Sequence, residues 1–122
     1  MAQPNGYYTV KGFREDILEV DGAYTVEPHL YECGNFVNKP GATATITLPP
    51  ALPGRTHTFH VSSAHTVTIT PANGETLSTD AGKSGAANKS ASNSTAGSSI
   101  TYTCIEAGHW NTEKAVGTWP VA

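Results

Sequence analysis

The stretch Thr66-Val67-Thr68-Ile69-Thr70-Pro71-Ala72-Asn73-Gly74-Glu75-Thr76-Leu77 decides the fold class. Val67 and Ile69 alternate with Thr66, Thr68 and Thr70. A two-residue period puts the apolar pair on one face and the hydroxyls on the other, the pattern of a half-buried strand. β-branched threonine suits the solvated side of a pleated sheet. Pro71 ends the run. Asn73-Gly74 is the strongest short hairpin signal, so Glu75-Thr76-Leu77 is expected to return along the preceding strand.

The same pattern repeats outward in both directions. Residues 23–27 run to Pro28, and residues 35–38 stop at Lys39-Pro40-Gly41. Residues 44–48 are closed by Pro49-Pro50, and Pro53-Gly54 turns the chain into residues 56–61. Downstream, Ile100, Tyr102 and Cys104 share one face of residues 99–105, and Ala107-Gly108 turns into His109-Trp110-Asn111-Thr112. About seven short strands with frequent turns predict an all-β fold, a small antiparallel β-sandwich or barrel.

Two segments depart from this pattern. Residues 78–99 contain no large apolar side chain. Such a stretch buries too little apolar surface to offset the entropy of ordering it, so a flexible Gly/Ser/Ala loop is expected there. Residues 1–21 place Tyr7, Tyr8, Val10 and Phe13 in a Gly-punctuated run with little regular pattern. Phe13, Ile17 and Val20 fall near a helical spacing, which would allow one or two turns. The segment reads either as an extended N-terminal arm or as an ordinary edge strand on the protein's own core. The expected organisation is thus an arm over 1–21 and one β-domain over 22–122.

Composition bounds the function. A chain of 122 residues is one domain by length. Only 38% of it is hydrophobic, so its core is thin and part of its apolar surface is expected to be buried against other subunits. The net charge is -3 and the seven Lys and Arg are scattered singly, which argues against a nucleic-acid partner. No apolar run approaches the roughly 20 residues that span a bilayer, and Met1 to Gly6 lack a secretory pattern. The expectation is cytosolic synthesis and no membrane partner. In that compartment Cys33 and Cys104 read as two reduced thiols, with Cys104 a small buried apolar residue.

Catalytic and metal motifs were sought among the polar residues. His57 and His60, three apart in a strand, point to opposite faces and cannot easily share an ion. His29, His65 and His109 have no partner at ligand spacing. There is no G-x-S-x-G, and the serines concentrate in the soft segment where catalytic geometry is hard to hold. Gly82-Lys83-Ser84-Gly85 lacks the upstream glycine of a phosphate loop. The expectation is a binding or structural protein, not an enzyme, with no metal and no cofactor.

One ordered series of residues carries a family resemblance. It runs Gly34-Asn35-Phe36-Val37-Asn38, Gly41-Ala42, Ile46-Thr47-Leu48-Pro49 and Gly54-Arg55-Thr56-His57-Thr58-Phe59, then Val67-Thr68-Ile69-Thr70-Pro71 and Gly74-Glu75-Thr76-Leu77. After the Gly/Ser/Ala segment come Ser98-Ser99-Ile100-Thr101-Tyr102 and Gly108-His109-Trp110-Asn111. The series resembles β-domains of tailed-bacteriophage virion proteins, both head-decoration (cement) proteins and tail-fibre or tail-spike proteins. The resemblance implies a homotrimer acting by binding. A short chain with one arm and one β-domain suits a cement protein better than a fibre, which needs a shaft. The implied partner is the major capsid protein, the implied location the capsid surface of a virion assembled in the host cytoplasm. Tyr7, Tyr8 and Phe13 are then the candidate partner contacts, since aromatic anchors dominate such interfaces. The alternative is a tail-fibre or receptor/carbohydrate-binding appendage domain. There Trp110, Trp119 and Tyr102 would stack on sugar rings, although filling the core is the default role of such aromatics.

Overall fold

A computed structural model describes residues 17–27, 33–78 and 86–122. These residues form β1 (Ile17–Val20), β2 (Gly22–Thr25), β3 (Cys33–Asn38), β4 (Ala44–Thr47) and β5 (Thr56–His60). They continue with β6 (Val67–Thr70), β7 (Thr76–Leu77), β8 (Ala91–Asn93), β9 (Ser99–Glu106) and β10 (His109–Val116). The fold is all-β, two sheets packed together: six strands in the order β1-β3-β5-β9-β10-β7 and four in the order β2-β4-β6-β8.

The first six strands make three successive rungs. Each rung lays one strand in the six-stranded sheet and the next in the four-stranded sheet. β1, β3 and β5 therefore run parallel, as do β2, β4 and β6. The rungs are in register. Leu18, Phe36 and Phe59 lie in one inward row, while Tyr24, Ile46 and Ile69 lie in the facing row. Ala91 of β8 completes the second row and Ile100 of β9 the first, both strands adding antiparallel. β9 and β10 form an antiparallel hairpin, and β7 pairs parallel with the far side of β10.

Facing rows fill the space between the sheets. Phe36 stacks on Phe59 with ring centroids 5.4 Å apart, and Tyr24 reaches across from the other sheet to within 6.2 Å of Phe36. His57 is fully buried between Phe36 and Trp110, at 5.8 and 5.6 Å. Trp119 plugs one end, its indole N–H within hydrogen-bond distance of the Ser99 and Val116 carbonyls. Outside, threonines face each other across strands: Thr56 with Thr103 at 2.8 Å and Thr58 with Thr101 at 2.9 Å. At the corners, buried Asn38 accepts from the Ser62 amide and donates to the Ala42 carbonyl, tying the second rung to the third.

Several expectations change. The sandwich is not antiparallel throughout: β1–β3, β3–β5, β2–β4, β4–β6 and β7–β10 are all parallel pairs. Alternating burial is identical for parallel and antiparallel strands that keep one face wet, so the period alone does not separate them. The turn at Asn73-Gly74 does not fold β7 back on β6. The chain crosses instead to the six-stranded sheet, beside β10. Ile17–Val20 is a strand rather than a helical turn, with Val20 in the core. These four residues lie at the edge of the six-stranded sheet as described, and residues 1–16 of the expected arm lie outside the described residues. The expected loop over 78–99 is also interrupted. Ser78 is buried, and Ala91–Asn93 is a strand whose Ala91 is fully enclosed. Ala91 buries only a methyl group, which is why composition hid this strand.

Candidate functional site

Tyr7, Tyr8 and Phe13, the partner contacts expected from the sequence, lie outside the described residues. What the structure does give is the surface beside which they join the fold. Residue 16 leads directly into β1, the edge strand of the six-stranded sheet, and β2 is the edge strand of the other. The first rung is thus the end of the stack, with the outer backbone edges of both strands turned away from it. Gly22 and Val26 donate their amides to Thr43 and Thr47. Along a strand the amides alternate in direction, so those of Ala23 and Thr25 point to the free side. Glu19, Asp21 and Glu27 put three acids and no basic residue on residues 17–27, and Ile17 is 57% exposed. Charge on an edge strand discourages indiscriminate pairing.

The opposite end of the four-stranded sheet is closed. Val121 bridges Ala91, and Ser90 and Ala122 exchange amide-to-carbonyl bonds of 3.1 and 3.0 Å. The chain's last residues therefore cover the β8 edge, while among the described residues no strand pairs with the outer edge of β2.

A second feature is the proline-rich turn over 49–55, held from beneath. Both carboxylate oxygens of Glu75 accept from the Ala51 amide, at 2.9 and 3.2 Å, and Arg55 donates to the Pro50 carbonyl at 2.7 Å. Gly54 and Gly108 tie the turn to the β9–β10 connection through the Cys104 and Ala51 carbonyls. Leu52 and Ile105 are exposed large apolar residues on these two segments. Cys104 itself is a buried free thiol, as the sequence suggested. Burial raises its pKa above the ordinary thiol value, and the nearby Glu75 carboxylate adds to the rise.

A third feature, which sequence reasoning missed, is a cleft of about 340 Å3 between the 92–95 segment and the chain's return at 118–120. Asn93 sets its geometry. Its side-chain oxygen accepts from the Thr95 amide at 2.6 Å, and its nitrogen donates to the Thr118 carbonyl at 2.8 Å. The one amide side chain thus ties both walls together. Gly117, at a φ of +88°, lets the return pass close beneath: a Cβ there would lie 2.5 Å from Ser98 Oγ and 3.2 Å from Asn93 Nδ2. Thr66 and Pro120 complete the lining. In the sequence these residues read only as polar loop.

The aromatic platform considered for sugar stacking is not on the surface. Trp110, Trp119 and Tyr102 are all fully buried. His57 is buried and His60 lies on the outer face, so this pair does not converge. Among the described residues, no three of His, Cys, Asp and Glu come together to hold a metal ion.

No protein-family model matches the chain, and no curated protein matches it.

Proposed function

We propose that this protein is a virion structural protein of the capsid-decoration type, binding the outer surface of a phage head and stabilising the shell. The observation that carries the reading is the ordered series of segments similar to phage virion β-domains. In this fold those segments coincide with β3 to β7 and with the β9–β10 hairpin, the framework of the stack. The resemblance therefore rests on the elements that shape the molecule.

The placement of the first rung supports the same reading. Among the described residues, β1 and β2 form the outer edges of the two sheets, and residues 1–16 precede β1 in the chain. A partner at that edge would meet backbone donors and acceptors of β2. Strand addition and aromatic anchoring are both efficient ways to hold a protein on a surface. Three copies around a threefold position of the shell would bridge neighbouring capsid subunits and share the load of internal pressure.

Deleting residues 2–16 and measuring occupancy on purified capsids tests this directly. Loss of binding with the β-domain still folded is expected. Undiminished occupancy would remove Tyr7, Tyr8 and Phe13 as the contacts.

A further inference from the structure

We infer that the cleft between the 92–95 segment and the 118–120 return is a binding site for one residue of a neutral saccharide. The inference rests on the cleft alone and not on the capsid reading, so either can fail without the other.

The chemistry of the lining selects the ligand. Thr66, Ser94, Thr95 and Thr118 bring hydroxyl-bearing side chains, and none of the described lining residues is ionisable. A charged ligand would lose hydration there with no countercharge to replace it. A wholly apolar ligand would displace water from the hydroxyls of Thr66, Ser94, Thr95 and Thr118 and offer them nothing in return. Hydroxyls that both donate and accept match a ligand whose own groups do the same, and a sugar ring offers that on its edge. Pro120 and the threonines also carry apolar carbon, the kind of surface that the C–H face of a sugar packs on.

Size and rigidity agree with this choice. About 340 Å3 lies at the small end of ligand clefts, enough for one ring. The walls are positioned before any ligand arrives, because Asn93 bonds to both. Little ordering entropy then remains to oppose binding. Thr66, Ser94, Thr95 and Thr118 are exposed, so a ring at a chain end could enter from solvent.

The experiment is an amide-resolved NMR titration of the full chain with the methyl glycosides of glucose, galactose, mannose and N-acetylglucosamine, with glucuronate as the charged control. At least one neutral glycoside is expected to give saturable shifts centred on Thr66, Ser92 to Thr95 and Thr118. Glucuronate is expected to bind at least ten-fold more weakly. Thr118→Val removes one hydroxyl while keeping shape and should weaken the neutral ligand several-fold. Ser94→Trp should fill the cleft and abolish the shifts. The unperturbed remainder of each spectrum reports that the variant is folded. The inference is overturned if no neutral glycoside saturates, if the shifts centre elsewhere, if glucuronate binds as well, or if both variants bind as the parent does.

Discussion

Gly117 carries the clearest constraint of any single residue. Its φ of +88° lies in the left-handed region, and a methyl there would press on Ser98 Oγ at 2.5 Å. Gly41 shares the backbone conformation, at +83°, but has open space around the missing Cβ. Gly41→Ala should cost only the conformational strain, about 1–2 kcal/mol. Gly117→Ala should cost at least about 1 kcal/mol more, because buried Ser98 must also move. Urea unfolding of the two variants measures the difference, and equal losses would contradict the close approach. At Glu75 the side chain serves a backbone group: Ala51 is buried and its amide bonds to the carboxylate. Glu75→Ala should cost about 1–3 kcal/mol and speed hydrogen exchange at the Ala51 amide. Retained protection at that amide would show that another group holds the turn. Cys104 gives a pH prediction. Its folded-state pKa is raised, so above the ordinary thiol range the unfolded chain releases a proton that the folded chain keeps. Its contribution is full below that range and falls as pH rises through it. The parent should therefore lose more stability than Cys104→Ala over that interval. Parallel pH profiles would contradict the buried thiol.

At the scale of elements, stacked rungs replace the hairpins that the sequence pattern suggested. β4 is hydrogen-bonded on both sides and β2 on one. Thr45→Pro must break a ladder bond whichever way its amide points, and should cost about 3 kcal/mol or more. Thr25→Pro, with its amide on the free side, should be tolerated far better. Circular dichroism melts of the two variants make the comparison, and an equally damaging Thr25→Pro would mean that the β2 edge is engaged. The strands themselves were legible because their apolar residues alternate, from Val67 and Ile69 to Ile100, Tyr102 and Cys104. The parallel pairing was not, because threonine-rich outer faces are the usual mark of antiparallel sheets. Here the parallel strands keep a wet face because each return runs through the opposite sheet, with no covering helices. β8 was illegible for a different reason. Ala91-Ser92-Asn93 has nothing large to bury, and its place is fixed by Ile69 on one side and Val121 on the other. The cleft inherits that difficulty, since it exists only once β8 and the final residues are brought together.

The whole molecule is asymmetric. One end of the four-stranded sheet is sealed by residues 120–122, while among the described residues β2 is the open edge at the other. Stacked folds gain stability from each neighbouring rung, and an uncapped terminal rung is where a neighbour adds most. Among the described residues eighteen buried apolar side chains form the core, with Trp110 and Trp119 the largest. The proposed capsid role calls for attachment in many copies to the shell. The most direct measurement is an electron cryo-microscopy reconstruction of the assembled particle with this chain located and counted. The account predicts hundreds of copies per particle, grouped in threes on the capsid exterior with residues 1–16 against the shell. A handful of copies confined to the tail, or none on the particle, would contradict it.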